Sequence, residues 1–294
     1  MPSPLILRTA IADYPHVRAL RDGRVRSDRV SFDFVTISPI SRAFRPMARE
    51  LAFDLSEMAV ATLAQARARA VPIVGLSAVL MRGFHHGALV CRRDGPIVGP
   101  ADLVAGRRIG VRAWSQTTGV WVRGLLADEH GVDPARSTWI TTEGAHVADC
   151  PDPVFATRAP PGADLAAMLG AGEIDAGIAL SGLDPTQIRP VIADPDAAAA
   201  AAYRRTGIYP VNHALALTRS VLDAHPWLAD ELMALFAAAK EATPPPPGPA
   251  ALGGADPLPY GLAANRAAIE TLTRYAAAQG LIAAACRAED LFVA

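Results

Sequence analysis

The sequence predicts an α/β fold, because short apolar runs typical of strands alternate with segments of helical spacing along most of the chain. This alternation is regular over the first 90 residues, and a second series begins near Arg92. Strands that alternate with helices form a mainly parallel sheet, whose crossover connections are right-handed. The length of 294 residues suits two domains or one large domain.

In the first series, each element is marked by its apolar spacing and by the turn residues that flank it. The run from Leu5 to Ala10 ends before Asp13-Tyr14-Pro15, and residues 30–37 alternate between apolar and polar side chains. Ser38-Pro39 opens a helix that extends to Glu50, and strong helix formers fill residues 59–70. The predicted strands of this series are 5–10, 30–37, 53–58, 73–79 and 88–91.

In the second series, Ser115 to Gly119 opens a helix that ends at His130-Gly131. Residues 148–161 are rich in Pro and Asp and predict a loop, whereas residues 221–241 predict one long amphipathic helix. The proline tract 244–249 indicates a stiff linker. The other predicted helices are 100–103, 162–170, 197–202 and 260–278, and the other strands are 108–111, 139–141, 173–178 and 212–218.

The charge balance excludes a global electrostatic attraction to nucleic acid or to anionic membranes, because 28 basic and 29 acidic residues give a formal net charge of −1. No apolar segment is long enough for a membrane helix, and the first residues lack the basic and apolar regions of a secretory signal. We therefore expect a cytoplasmic protein without nucleic-acid or membrane partners. Lys240 is the only lysine, and hence the only candidate for Schiff-base chemistry.

The sequence contains no motif for a metal or for a nucleotide cofactor. Its three cysteines, Cys91, Cys150 and Cys286, form no CxxC pair, and HxH and HExxH spacings are absent. The GxGxxG and P-loop patterns are absent too, as is the GxSxG pattern that marks many serine hydrolases. We therefore expect neither a cofactor nor a metal.

Six segments, in order along almost the whole chain, carry a family resemblance. They are FDLSEMAVATL (53–63), RGFHHGALV (82–90), DLVAGRRIGVRAWSQTTGVWVRGLLADEHGV (102–132), GEIDAGI (172–178), IYPVNHALALTRSVL (208–222) and YGLAANRAAIETLTRYAAAQGL (260–281). These segments resemble the 4,5-dihydroxyphthalate decarboxylase family. The stretches 114–123 and 209–213 are the most particular.

The resemblance implies a two-lobed α/β fold of the type II periplasmic-binding-protein class. Lobe 1 would comprise residues 1–88 together with 214–294, and lobe 2 would comprise residues 89–213. A ligand would bind in a cleft between the lobes, at the loops that follow the strands.

Ser115, Thr117 and Thr118 form a candidate anion site at the start of a predicted helix. Amide groups at the amino end of a helix lack intrahelical partners and attract negative charge, and the hydroxyl groups add further donors. The resemblance favours this role over the alternative, which is an ordinary helix cap.

Trp114 and Arg123 flank the same helix end and are candidates for contact with an aromatic carboxylate. An indole ring offers a stacking surface, and a guanidinium can bind a carboxylate in bidentate fashion. Trp121 lies seven residues after Trp114, near the same helix face, but packing in the core explains Trp121 equally well.

Arg82, His85 and His86 follow a predicted strand, at the first hinge that the resemblance implies. Arg82 is a candidate carboxylate clamp, and the histidines are candidates for proton transfer near neutral pH. Adjacent strand residues point to opposite faces, so we expect at most one of the two histidines to face the cleft. The resemblance implies that His86 is that residue; the alternative is a structural histidine. Family members commonly have Phe-Arg-His here, and His85 replaces the arginine, which leaves the substrate open.

Asn212 and His213 lie at the second implied hinge, where His213 is a candidate for proton exchange with a substrate. The alternative is hinge packing, with Asn212 holding a turn. Asp13, Tyr14 and Glu57 come at or just beyond the ends of predicted strands, where proteins of this fold contact their ligands. A helix cap explains Asp13 equally well.

The resemblance implies a cofactor-independent decarboxylase of a hydroxylated, phthalate-like aromatic carboxylate. His86 or His213 would deliver the proton, and Arg82, Arg123 and residues 115–118 would hold the carboxylates. Two alternatives stay open: a solute-binding or sensor protein for a small organic anion, and an enzyme of the same fold that acts on a different acid. In each case the partner is a small aromatic or organic carboxylate, and we expect a homo-oligomer.

Overall fold

Each of the two β-sheets in the computed structural model contains one strand that runs against all the others. The structure describes residues 3–104, 106–244 and 247–293. The chain divides into two units, the first made of Met1–Arg82, Val211–Thr273 and Cys286–Ala294, and the second of Gly83–Pro210 and Arg274–Ala285. The chain therefore passes from one unit to the other four times.

The described residues form twelve strands and ten α-helices. The strands are β1 (Leu5–Ala10), β2 (Val30–Phe34), β3 (Leu55–Ala59), β4 (Ile73–Arg82), β5 (Leu89–Arg92), β6 (Arg108–Ala113), β7 (Thr138–Glu143), β8 (Ala156–Arg158), β9 (Ala176–Ile178), β10 (Ile188–Pro190), β11 (Val211–Thr218) and β12 (Phe292–Val293). The helices are α1 (Arg18–Arg21), α2 (Ser41–Glu50), α3 (Val60–Ala68), α4 (Thr117–His130), α5 (Leu165–Ala171), α6 (Pro195–Thr206), α7 (Arg219–Ala224), α8 (Leu228–Glu241), α9 (Leu262–Ala278) and α10 (Ala288–Leu291).

The sheet of the first unit has the strand order β12-β4-β11-β3-β1-β2. β11 pairs antiparallel with both β3 and β4, whereas the other pairs are parallel. Because β11 runs in the opposite direction, its first residues lie at the same sheet edge as the last residues of β1, β3 and β4. This edge therefore collects the residues that follow Ala10 and Ala59, together with Asn212 and His213.

The sheet of the second unit has the order β10-β5-β9-β6-β7-β8. β5 is its antiparallel strand, and the pairs among β9, β6, β7 and β8 are parallel. β5 is the first strand after the chain enters the second unit at Gly83, and β11 is the first strand after the chain returns to the first unit at Val211. The carboxyl end of β6 leads through residues 114–116 into α4.

The predicted α/β class is confirmed, and two of the predicted elements are wrong. The helix predicted over 221–241 is interrupted between α7 and α8, because Pro226 has no amide proton and disfavours a helical conformation at His225 (φ −136°, ψ 72°). The loop predicted over 148–161 contains β8, which pairs with β7 at the edge of its sheet. Of the predicted proline linker, Pro245 and Pro246 lie outside the described residues.

The division into units differs from the lobes implied by the resemblance at the end of the chain. Residues 274–285 belong to the second unit, whereas the implied boundaries assign them to lobe 1. The boundary at Thr273 falls inside α9, so the helix has no break in its sequence that could mark the change. The other three boundaries fall at Arg82/Gly83, Pro210/Val211 and Ala285/Cys286, whereas the implied lobes divide at 88/89 and 213/214.

Each unit has its own apolar core. In the first unit, Leu228, Leu232 and Phe236 of α8 belong to the same buried cluster as Leu76 of β4 and Leu215 of β11. In the second unit, a smaller cluster joins α5 to the sheet through Leu165, Leu169, Ile140 and Ile174. None of the helices in the described ranges is long and apolar enough to cross a bilayer.

A glycine in α4 lets an aromatic ring of α9 lie directly on the helix of the second unit. A methyl group added at Gly124 would lie only 2.2 Å from the ring of Tyr275. The Tyr275 hydroxyl donates to Asp128, one turn further along α4, at 2.7 Å. Gly124 therefore permits the close packing that holds residues 274–285 in the second unit.

We expect Gly124→Ala to destabilise the protein by about 1–3 kcal/mol, because the added methyl must displace the Tyr275 ring. Gly170→Ala is the matched control: Gly170 also lies in a helix, α5, but nothing lies within 4 Å of its added methyl. That control should be neutral or more stable by about 0.5–1 kcal/mol, through helix propensity. Chemical denaturation of both variants measures the difference, and equal stabilities would contradict the packing argument.

Candidate active site

The edge of the first sheet brings together three residues that the sequence singled out: Tyr14, Glu57 and His213. Glu57 is completely buried in β3. Its Oε1 accepts a hydrogen bond from the Tyr14 hydroxyl at 2.7 Å and lies 2.6 Å from His213 Nδ1. Its Oε2 accepts from the backbone amide of Ala12 at 3.1 Å. We refer to Tyr14, Glu57 and His213 as the Glu57 cluster.

The strand register explains why these side chains meet. His213 pairs with Ala59 and Leu215 pairs with Glu57 across β11 and β3. Residues two apart on a strand share a face, so Glu57 and His213 are diagonal neighbours on one face of the sheet. Tyr14 follows β1 at the same edge, in the extended turn before the short 3₁₀ helix Pro15–Val17.

The buried carboxylate fixes the proton positions of the imidazole. An ionised carboxylate only accepts hydrogen bonds, so His213 Nδ1 must carry a hydrogen toward Glu57. Nε2 is then the nitrogen that remains for a proton exchange with a bound molecule. The edge of the Phe44 ring packs against the imidazole, with 5.0 Å between the ring centroids, which restricts its rotation.

The Tyr14 hydroxyl stays protonated and donates its hydrogen bond to Glu57. Burial raises the pKa of Tyr14 well above its ordinary value, and the negative charge of Glu57 and the hydrogen bond to it raise the pKa further. The sequence suggested Tyr14 as a ligand contact, whereas its hydroxyl is committed to a protein carboxylate.

Asp13 lies beside the Glu57 cluster but does not join it. Its exposed carboxylate pairs with Arg18 at 3.2 Å, and the short 3₁₀ helix after it has no side-chain cap. Asp13 and Arg18 line a cavity of about 570 Å³ at the carboxyl ends of β1 and β2. Its role as a ligand contact stays a prediction.

Arg82 and Asn212 lie at the same sheet edge as the Glu57 cluster. Met81 Sδ is 3.9 Å from the Tyr14 hydroxyl, whereas the guanidinium of the adjacent Arg82 donates to Asn265 Oδ1 at 3.0 Å. Asn265 in turn donates to two backbone carbonyls in residues 259–261, so Arg82 helps to hold the start of α9. Asn212 is buried.

In the second unit, the predicted helix start is confirmed at Thr117. Ser115 and Thr117 are buried and Thr118 is half-buried. The N-cap residue, Gln116, makes no side-chain capping bond, and the buried Ser115 Oγ has no hydrogen-bond partner in the described part of the chain. The role of this helix end in anion binding and its alternative, an ordinary helix cap, both stay predictions.

Arg123 does not have the geometry of a bidentate carboxylate clamp. It is 0% exposed, its Nε donates to Gln279 Oε1 at 2.7 Å, and its Nη2 donates to the Trp114 carbonyl at 2.5 Å. Two of the guanidinium nitrogens thus donate inside the unit, and the third, Nη1, is buried without a hydrogen-bond partner among the described residues. Burial lowers the pKa of Arg123 to about 9.

Trp114 likewise packs inside the second unit and offers no open stacking surface. The Arg123 guanidinium lies 3.7 Å from the centre of its ring, and the rings of Trp139 and Phe155 meet it edge-on. Its Nε1 donates to the Gln279 carbonyl at 3.1 Å. Trp121 packs edge-on against Tyr275, as its alternative core role predicts.

His86 forms a buried ion pair remote from the start of α4. Its Nε2 lies 3.2 Å from Glu129 Oε2, and Arg205 binds the other oxygen of Glu129 at 3.0 Å. Glu129 comes twelve residues after Thr117, or about 18 Å along the helix axis at 1.5 Å per residue. His86 is thus engaged with Glu129 inside the second unit, its role in proton transfer stays a prediction, and His85 beside it is buried.

Two residues near the Glu57 cluster escaped the sequence analysis, His16 and Phe44. His16 is buried and stacks on Tyr14, and Phe44 packs on His213. The only sequence signal for His16 is its place two residues after Tyr14. Among the described residues, no group of three His, Cys, Asp or Glu side chains is arranged to hold a metal.

The two sheets, with their single antiparallel strands, define a periplasmic-binding-protein-like α/β protein. A similar solved structure is the periplasmic aliphatic sulphonate binding protein SsuA from Escherichia coli, with 13% identity, a TM-score of 0.57, and coverage of 100% of this chain and 93% of that one. At this identity the likeness shows the fold alone. No family model matches the chain.

The chain belongs to the 4,5-dihydroxyphthalate decarboxylase family, whose members are carboxy-lyases. It is 32% identical to the 4,5-dihydroxyphthalate decarboxylase of Comamonas testosteroni over 247 residues, which cover 80% of this chain and 74% of the relative. It is 31% identical to that of Pseudomonas putida over 182 residues, covering 58% and 69%. The family resemblance of the sequence segments is thereby confirmed.

We expect Arg123→Met to lower the free energy of unfolding by about 2–5 kcal/mol, because it strands two buried acceptors, Gln279 Oε1 and the Trp114 carbonyl. Arg204→Met is the matched control, since Arg204 is an exposed arginine in a helix of the same unit. The control should change stability by less than about 0.5 kcal/mol. Denaturant unfolding measures the stability of both variants. An Arg123→Met protein with unchanged stability but weakened ligand binding would contradict this expectation and would support Arg123 as a carboxylate clamp.

Proposed function

We propose that the protein decarboxylates a hydroxylated, phthalate-like aromatic carboxylate, with His213 as the proton donor. Two observations support the proposal. The curated relatives are named 4,5-dihydroxyphthalate decarboxylase, and the Glu57 cluster presents a histidine held by a buried carboxylate. The second observation carries the assignment of His213.

The reaction needs a proton on the ring carbon that bears the departing carboxylate. In 4,5-dihydroxyphthalate, a hydroxyl group lies para to that carbon and supplies electron density to it. The imidazolium Nε2–H of His213 transfers its proton to the carbon, and the hydroxyl oxygen stabilises the cationic ring. The bond to the carboxylate then breaks, CO2 leaves, and the bonding electrons restore the aromatic ring as 3,4-dihydroxybenzoate.

Glu57 supports this step in two ways. Its hydrogen bond with Nδ1 directs Nε2 away from the strand, and its negative charge stabilises the positive charge on His213 while the ring holds its proton. Because Glu57 is fully buried and receives two further hydrogen bonds, it keeps one position during the cycle. This is the arrangement of a general acid oriented by a carboxylate.

In the second unit, the amino end of α4 is the proposed carboxylate-binding element. Its amide groups carry the positive end of the helix dipole, and the buried Ser115 Oγ lacks a partner among the described residues. Arg123 is left out of this proposal, because it is completely buried and its Nε and Nη2 donate within the second unit.

We test the proton donor with His213→Gln, which removes the acidic N–H but keeps a polar side chain. Release of CO2 from 4,5-dihydroxyphthalate should fall by about 100-fold to 10,000-fold, the range of a general acid. His86→Gln is the matched control and should retain most of the turnover, because His86 belongs to the Glu129 ion pair. Circular dichroism verifies that both variants are folded.

Three outcomes contradict the assignment. Loss of turnover in His86→Gln but not in His213→Gln would exchange the two roles. Thermal stabilisation of the wild-type protein by the dihydroxyphthalate without CO2 release would indicate a binding protein. No response to the compound at all would indicate an enzyme for another acid.

We further propose that no cofactor takes part, since the hydroxylated ring itself accepts and returns the electrons. Lys240, the only lysine, pairs with Asp256 and donates to the Leu258 carbonyl. Lys240→Arg should therefore keep turnover within about twofold of the wild type, because the change removes the primary amine but keeps the positive charge beside Asp256. Dialysis against a chelator should likewise leave CO2 release unchanged, and loss of turnover in either case contradicts the cofactor-independent route.

A further inference from the structure

A second histidine of the first unit, His16, lies behind the Glu57 cluster and is used by none of the steps above. It is 5% exposed, and its ring is stacked on Tyr14 with centroids 5.1 Å apart and 15° between the planes. Its Nε2 has no hydrogen-bond partner among the described residues. The flat face of the ring is therefore its main contact with the cluster.

His16 is uncharged over the neutral range. Burial lowers its pKa to about 4; the charge of Glu57 on β3 raises the pKa, that of Lys240 on α8 lowers it, and a hydrogen bond to the Leu80 backbone on β4 raises it. From neutral pH down to about pH 4, the ring therefore carries no positive charge that could repel an imidazolium on His213. Over that range it offers Tyr14 a neutral aromatic face.

The contacts form an unbroken series from His16 to His213. His16 stacks on Tyr14, the Tyr14 hydroxyl donates to Glu57 Oε1, and the same oxygen binds His213 Nδ1. Two donors therefore share one carboxylate oxygen. When the tyrosine hydroxyl withdraws charge from Oε1, the attraction between Glu57 and the imidazolium weakens.

We propose that His16 is a positioning residue, whose ring holds the Tyr14 hydroxyl on Glu57 and thereby sets how tightly His213 keeps its proton. This inference rests on the proposed role of His213 as an acid. An acid that holds its proton less tightly transfers it more readily to a ring carbon. Loss of the tyrosine hydrogen bond should consequently make His213 a weaker acid.

The experiment compares His16→Ala, His16→Phe and Tyr14→Phe in the full chain. His16→Ala removes the stacking face, and Tyr14→Phe removes the hydroxyl. Both should lower kcat by about 10-fold to 100-fold, because the groups that position His213 are lost. KM should change little. His16→Phe keeps a flat ring behind Tyr14 and should restore kcat to near the wild-type value.

A second readout does not depend on turnover. We measure the titration of the His213 ring by NMR in substrate-free, histidine-labelled protein, and assign its signal by its loss in His213→Gln. In both His16→Ala and Tyr14→Phe, the midpoint of this titration should move to higher pH, and the two shifts should be of similar size. His16→Phe should leave the midpoint in place.

The two readouts separate failure of this inference from failure of the proposed function. Absence of CO2 release from the wild type would remove the proposed function, while the shared shift of the His213 midpoint would still support the positioning role. An unmoved midpoint in His16→Ala overturns the inference. A His16→Phe variant as impaired as His16→Ala in both readouts also overturns it, since the ring nitrogens rather than the stacking face would then be needed.

Discussion

A carboxylate without contact to water, Glu57, is the constraint on which the first unit depends. A buried charge is costly unless it is paired and hydrogen-bonded, and here one oxygen receives two side-chain donors while the other receives the Ala12 amide. Ala12 and Tyr14 lie in the segment after β1, His213 lies in β11, and Glu57 itself lies in β3. Satisfying one carboxylate thus fixes three chain segments relative to one another, and it also orients His213, the histidine proposed as the proton donor.

The antiparallel strand is what makes this pairing available. A purely parallel sheet would bring only strand ends to one edge, whereas β11 brings its beginning there as well. His213 is the third residue of that strand, and it comes just after the chain has re-entered the first unit at Val211. Residues near a passage between units therefore line the same edge as residues near the ends of β1 and β3, and this is where open α/β sheets place their sites.

In the second unit, the residue types indicated which chemistry each side chain can perform, but they did not indicate whether it contacts a ligand or packs inside the protein. Tryptophan, arginine and histidine side chains can bind an aromatic anion, but the same side chains can also pack in a buried cluster. The Arg123 side chain of α4 is buried, where Gln279 and the Trp114 carbonyl accept hydrogen bonds from it and an indole face covers it. His86 is paired with Glu129, far along the same helix. Local sequence cannot reveal these partners, since Gln279 and Glu129 are 156 and 43 residues away.

The sequence by itself determined the alternating elements, the α/β class and the family, since apolar spacing and short motifs are local properties. It also marked Glu57 and His213 as chemically capable. Only the tertiary structure decided that the two share a hydrogen bond, that Tyr14 serves the carboxylate, that His16 stands behind it, and that Arg123 is internal. Burial and pairing set the role of an ionisable group, and both depend on which distant segments the fold brings into contact.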